Sequence, residues 1–202
     1  MPRKNEIDML HGPLLAKIII FAMPLAASSI LQQLFNSVDV AVVGRFDSSY
    51  ALAAVGSNGP VISLLINLFL GISMGANVVI SNHIGQKDNN LTKYAIRTTA
   101  ATALFSGLAL AVIGVLAARP ILTIMGTPTE VLDMAVRYLR IYFIGTPFLL
   151  IYNFGSAILR SKGDTSRPLY ILIVAGIINT VLNLILVIVF HMGVAGVAIA
   201  TD

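Results

Sequence analysis

Five runs of largely apolar residues, Leu14 to Val43, Ala51 to Ser81, Tyr94 to Ala118, Tyr138 to Leu159 and Leu169 to Phe190, succeed one another with only short polar joints between them. That feature leaves the chain little choice of fold. A bilayer core about 30 Å thick is spanned by roughly 20 residues of helix. A helix also satisfies its own backbone N–H and C=O groups where no water is available to do so. A sixth run starts near Gly193 and reaches Asp202. The expected fold is all-α: a polytopic transmembrane helix bundle of five spans plus the start of a sixth (193–202). Residues 1–13 are a lead-in, and 14–202 form the membrane unit. Only 11% of the 202 residues are charged, against about one-quarter in a soluble domain, and mean hydropathy is +0.89.

The charges that remain orient the bundle. If the amino terminus is cytoplasmic, Arg3, Lys4, Lys17, Lys87, Lys93, Arg97, Arg160, Lys162 and Arg167 fall inside, and only Arg45, Arg119, Arg137 and Arg140 fall outside. This follows the positive-inside bias; the inverted topology violates it at every cytoplasmic loop. The first apolar run is too long for the core of a signal peptide, so the lead-in reads as retained and cytoplasmic. Joints such as Gly85 with Asp88-Asn89-Asn90, Gly126-Thr127-Pro128 and Gly163-Asp164-Thr165 suit tight turns between antiparallel helices. They leave no room for an extramembrane catalytic domain.

Several function classes drop out. Cysteine is absent and His11, His83 and His191 are scattered, so no disulfide, thiolate site or transition-metal ligand set is expected. The net charge of +4 sits in clusters between spans rather than on one face, which argues against a nucleic-acid partner. No Ser/Lys dyad, His/Asp metal set or pair of intramembrane carboxylates points to an enzyme. His83 and His191 lie near the membrane boundaries, where interfacial roles suffice.

Polar residues inside the spans carry the functional signal. Asp39 is the one acidic residue placed within a span, where a carboxylate costs about 2.5 to 3.5 kcal/mol on the insertion scale. At 100° per residue, Ser28, Ser29, Gln32, Gln33, Asn36 and Asp39 share one stripe of the first helix. Such a stripe must face protein or water. Its amides and hydroxyls serve equally as interhelical hydrogen-bonding groups, worth about 0.6 to 2 kcal/mol each, or as the wall of a substrate cavity formed by Gln32, Gln33 and Asn36. Asp39 suits a group that exchanges a proton or sodium ion. On the fifth span Asn179 and Asn183 share a face. Counted at 1.5 Å per residue from the outer ends, Asp39 lies roughly 9 Å deep, and Asn183 and Thr201 roughly 12 Å each. Three helices therefore present oxygen ligands at one level, which fits a hard-cation site with about 5 to 6 Å between the Asp39 and Asn183 oxygens across one bridging ion or water, or an interhelical hydrogen-bond ladder. Pro24 removes a backbone bond and marks a candidate hinge below the stripe. Gly71 and Gly75 form a GxxxG pair expected to let another helix approach closely.

With these residues placed, the chain resembles the multidrug and toxic compound extrusion (MATE) family. The likeness is carried by MPLAASSILQQLFNSVDVAVVGRF (Met23 to Phe46), LAAVGSNGP (Leu52 to Pro60), GISMGANVVISNHIGQKD (Gly71 to Asp88), LRSKGDTSRPL (Leu159 to Leu169) and NTVLNLILVIVFHMGVAGVAIAT (Asn179 to Thr201), in that order and spacing. The resemblance implies one six-helix lobe of a two-lobe plasma-membrane antiporter. In such a protein the lobes rock about a central cavity and exchange small, often cationic organic substrates for H+ or Na+, with no cofactor beyond the coupling ion. It implies cation ligands at Asp39, Asn179, Asn183 and Thr201. It also implies a carboxy-terminal lobe as partner, and truncation near Asp202, where relatives continue as apolar helix. The second fifth-helix ligand, often aspartate in the family, is Asn183 here, which leaves proton and sodium coupling both open. Lipid-linked oligosaccharide flippases of the same superfamily are one alternative; they call for cationic residues on the cavity face, and no Lys or Arg lies deep within a span. An inactive truncated fragment is the other.

Overall fold

A computed structural model describes residues 14–46 and 48–201; the lead-in, with Arg3, Lys4 and His11, and the terminal Asp202 lie outside the described residues. The helices are α1 (Leu14–Phe46), α2 (Ser49–Gly85), α3 (Asn89–Ile124), α4 (Thr129–Ser161) and α5 (Ser166–Leu184), followed by a π-helical turn (Ile185–Val189) and α6 (Val194–Thr201). Five of them, counting α5 with its π-helical extension, are long and apolar enough to cross a bilayer.

Their ends follow from local chemistry. Ser48 caps α2 by accepting from the Ala51 N–H at 3.2 Å. Asp88 caps α3, its Oδ1 accepting from Asn90 N at 3.0 Å and Leu91 N at 2.9 Å. Gly126 and Gly163 take φ of 75° and 80° and close α3 and α4. Between α2 and α3 the left-handed residue is Lys87 (φ 57°), not Gly85, which remains the last residue of α2. In the α4–α5 turn the buried Asp164 accepts the Arg167 N–H at 3.1 Å and pairs with the Arg167 guanidinium at 3.0 Å.

Helices α3 and α4 outrun their apolar windows: α3 begins at Asn89, behind its Asp88 cap, and α4 begins at Thr129, ahead of Tyr138, with an Arg119–Asp133 ion pair at 3.1 Å joining the two beyond the apolar level. Pro24, Pro60, Pro120 and Pro147 sit inside continuous helices, as membrane helices tolerate. At Pro24 the Ser28 hydroxyl donates to the Pro24 carbonyl at 2.8 Å.

The core centres on α4, whose Leu139, Phe143, Leu150 and Phe154 are fully buried between α3 on one side and α2 on the other. Two asparagines tie α2 to α4 near its two ends: Asn58 Nδ2 donates to Ala135 O at 3.2 Å, and Asn77 Nδ2 to Ala157 O at 2.9 Å. Helix α1 packs mainly on α5, and α6 fills the angle between α4 and α5.

The packing expected of Gly71 and Gly75 is not met. A Cβ on either would meet nothing within 4 Å, because α2 turns Ser73 and Ile80 inward and the glycines occupy its opposite side.

Candidate functional site

Phe35 and Gly176 decide how closely α1 and α5 meet. A Cβ at Gly176 would overlap the Phe35 ring, so this residue alone admits the aromatic side chain against the α5 backbone. The consequence is register. Asp39 follows Phe35 by one turn, Asn179 and Asn183 follow Gly176 by one and two turns, and the two helices run parallel, so the carboxylate and the amides rise to the same level.

There they touch. Asn183 donates through Nδ2 to Asp39 Oδ1. Thr201 Oγ1 reaches Asp39 Oδ2 at 3.3 Å and Val197 O at 2.8 Å, and with one hydrogen it donates to one of them at a time. The Asn179 amide also interacts with the carboxylate, while its Nδ2 donates to Ala200 O at 3.1 Å. Asp39 is 8% exposed and Asn183 0%. Among the described residues no cation pairs with Asp39. The Oδ1 atoms of both Asn179 and Asn183 are buried without a hydrogen-bond partner, an arrangement that ordinarily costs about 1 to 3 kcal/mol per group.

The return of the chain to this level depends on the end of α5. Its last turn widens one turn past Asn183, with Phe190 N bonding Ile185 O at 3.1 Å. His191 and Gly193 then take φ of 50° and 53°. Helix α6 doubles back from Val194 and lowers Thr201 to the carboxylate.

The four residues grouped by depth and spacing are thus brought together, on three helices that are mutual neighbours. Asn183 turns a donor, its NH2, to the carboxylate, so the two side chains contact directly, and its amide oxygen is buried without a partner. The stripe of α1 also divides. Asp39 is buried, but Gln32, Gln33 and Asn36 are exposed among the described residues. Pro24, four turns below Asp39, is partly buried. Phe35, Gly176 and the Ala200 carbonyl did not stand out in the sequence; a glycine three and seven residues before the two asparagines was the available signal.

Known proteins similar to this chain carry multidrug-resistance and MATE-transporter names. The chain is 36% identical to the "Probable multidrug resistance protein YoeA" of Bacillus subtilis (strain 168), over 90% of this chain and 40% of that protein. It is 31% identical to the "Probable multidrug resistance protein YpnP" of the same organism, over 96% of this chain and 44% of that protein. A solved structure described as the outward-facing conformation of a multidrug resistance MATE family transporter of the MOP superfamily matches with a TM-score of 0.90 at 26% identity, over 100% of this chain and 44% of the other. The chain therefore spans less than half the length of these relatives. Residues 24–185 match the MatE family, and that match, running from Pro24 past Asn183, places the chain in the MatE family.

Proposed function

We propose that this chain works as one lobe of a two-lobe efflux transporter that exchanges small, often cationic organic molecules for protons or sodium ions, with Asp39 as the coupling carboxylate. One observation carries the reading: a buried carboxylate meets two unpartnered amide oxygens, so the site has more acceptors than donors. A proton or a hard cation is the ligand that such a set lacks. When Asp39 takes up a proton it becomes a donor and the Asn179 or Asn183 Oδ1 can receive it; when Asp39 is ionised, the Thr201 hydroxyl swings from Val197 O toward Oδ2. Charge state thus changes which bonds tie α1 to α5 and α6. Exposed Gln32, Gln33 and Asn36 lie on the same helix below the site and supply polar contacts for substrate, and Pro24 supplies the bend between them and the inner end of α1.

The test is transport of a fluorescent organic cation by the complete two-lobe protein in sealed vesicles under an imposed proton or sodium gradient. One of the two gradients is expected to drive accumulation, and the matching ionophore to stop it. Transport indifferent to both gradients would remove the reading.

The proposed orientation puts the amino terminus and the α4–α5 turn in the cytoplasm of a plasma membrane. A single cysteine introduced by Lys162→Cys should resist an impermeant thiol reagent added outside intact cells, and one introduced by Thr127→Cys should react. Labelling at position 162 from outside would invert the topology.

A further inference from the structure

The exposed side of the α3–α4 pair is built like a lipid socket. On α3, Leu108, Val112, Leu116 and Arg119 share one face; on α4, Asp133, Arg137, Arg140, Ile144 and Phe148 share the adjoining one. The apolar members are strongly exposed, with Leu116 at 73% and Phe148 at 69%. Helix α1 packs on α5 rather than against the backbones of α3 and α4, so this face lies apart from the helix that carries the exposed glutamines. The charges are ordered by depth. Arg119 and Asp133 form the outermost pair, at 3.1 Å. Arg140 lies two turns deeper along α4 and donates through Nε to Val115 O at 3.2 Å, which fixes its guanidinium against α3 and leaves both Nη groups available. Among the described residues no carboxylate pairs with Arg137 or Arg140. Two guanidinium groups without a carboxylate at the edge of an apolar band reach headgroup level, where an anion can meet them.

We propose that this face binds one anionic phospholipid, its phosphate held by Arg137 and Arg140 and its acyl chains lying along Leu108, Val112, Leu116, Ile144 and Phe148. The guanidinium fork matches phosphate oxygens two at a time. The apolar band begins where the arginines end, which is the layout of a phospholipid and not of a free anion. This requires only that the helices sit in a bilayer and stands apart from the transport reading.

The chain has no tryptophan, so Phe148→Trp installs a single reporter. The full chain carrying it is reconstituted in mixed vesicles in which either phosphatidylglycerol or phosphatidylcholine bears brominated, fluorescence-quenching acyl chains. The expected result is preferential quenching by the brominated phosphatidylglycerol, by about fivefold in relative binding for each arginine engaged. The preference should vanish in Arg137→Gln/Arg140→Gln and shrink in Arg140→Lys, which keeps charge but loses the fork. It should persist in Lys87→Gln/Lys93→Gln, which removes two charges at the other end of the bundle. Equal quenching by the two lipids, a preference that survives Arg137→Gln/Arg140→Gln, or displacement of the lipid by inorganic phosphate would overturn the proposal.

Discussion

On the proposed reading, Asp39→Asn in the complete two-lobe protein is expected to abolish gradient-driven export while membrane insertion and abundance stay at the wild-type level. The site itself explains why the two readouts separate. Asparagine keeps the volume of aspartate and one acceptor for the Asn183 NH2 or the Thr201 hydroxyl. Its new NH2 finds the Asn179 or Asn183 Oδ1, both buried and unpartnered in the native site, so no donor is stranded. The substitution also removes a charge from a buried position, which does not cost stability. What it removes, on the proposed reading, is the ability to exchange a proton or balance a cation. Asp39→Ala should behave differently: it strands the Asn183 donor and the Thr201 hydroxyl, at about 1 to 3 kcal/mol for each buried group left unsatisfied, and lowers abundance together with transport. The measurement is export and drug resistance normalised to protein in the membrane fraction. Wild-type, gradient-driven export by Asp39→Asn would make Asp39 a structural residue.

The spans were legible because apolar length is a one-dimensional property, and the bilayer imposes it directly. The meeting of Asp39, Asn179, Asn183 and Thr201 was legible for a related reason: helical rise turns residue number into depth, and an i,i+4 spacing puts both asparagines on one face. What periodicity does not carry is which helix covers which arc. The stripe of α1 contains Gln32 and Asp39 within one face, yet among the described residues one is exposed and the other buried, because α6 arrives over Asp39 from a turn that no hydropathy pattern describes. Gly71 and Gly75 match a packing pattern but lie on the arc of α2 that no described helix approaches. The glycines that do bring helices together, Gly107 and Gly114 against α4 and Gly176 against Phe35 of α1, stand in no such motif.

The last of these glycines yields the second large effect. Gly176→Ala should lower the stability of the folded bundle by at least about 1 to 3 kcal/mol, the usual cost of forcing a methyl group into a filled contact. It should also disable the site without touching any of its polar groups. The added Cβ would coincide with the Phe35 ring, and neither partner can yield cheaply: one is a helix backbone and the other a rigid aromatic plane. Separation of α1 from α5 is the remaining relief. Because Asp39 is one turn from Phe35, and Asn183 two turns from Gly176, that separation opens the Asp39–Asn183 hydrogen bond. A second substitution makes the cause testable. Phe35→Leu shortens the side chain at the point of overlap, so Gly176→Ala/Phe35→Leu should recover most of the stability that Gly176→Ala loses, a coupling expected only of residues in contact. Melting temperature of the purified protein in detergent gives the energetic arm of the cycle, and gradient-driven export by the complete protein gives the functional arm. Recovery in both would tie the α1–α5 contact to the carboxylate site. Additive losses in the double variant, or a Gly176→Ala protein as stable as wild type, would show that Phe35 does not set the register of Asp39.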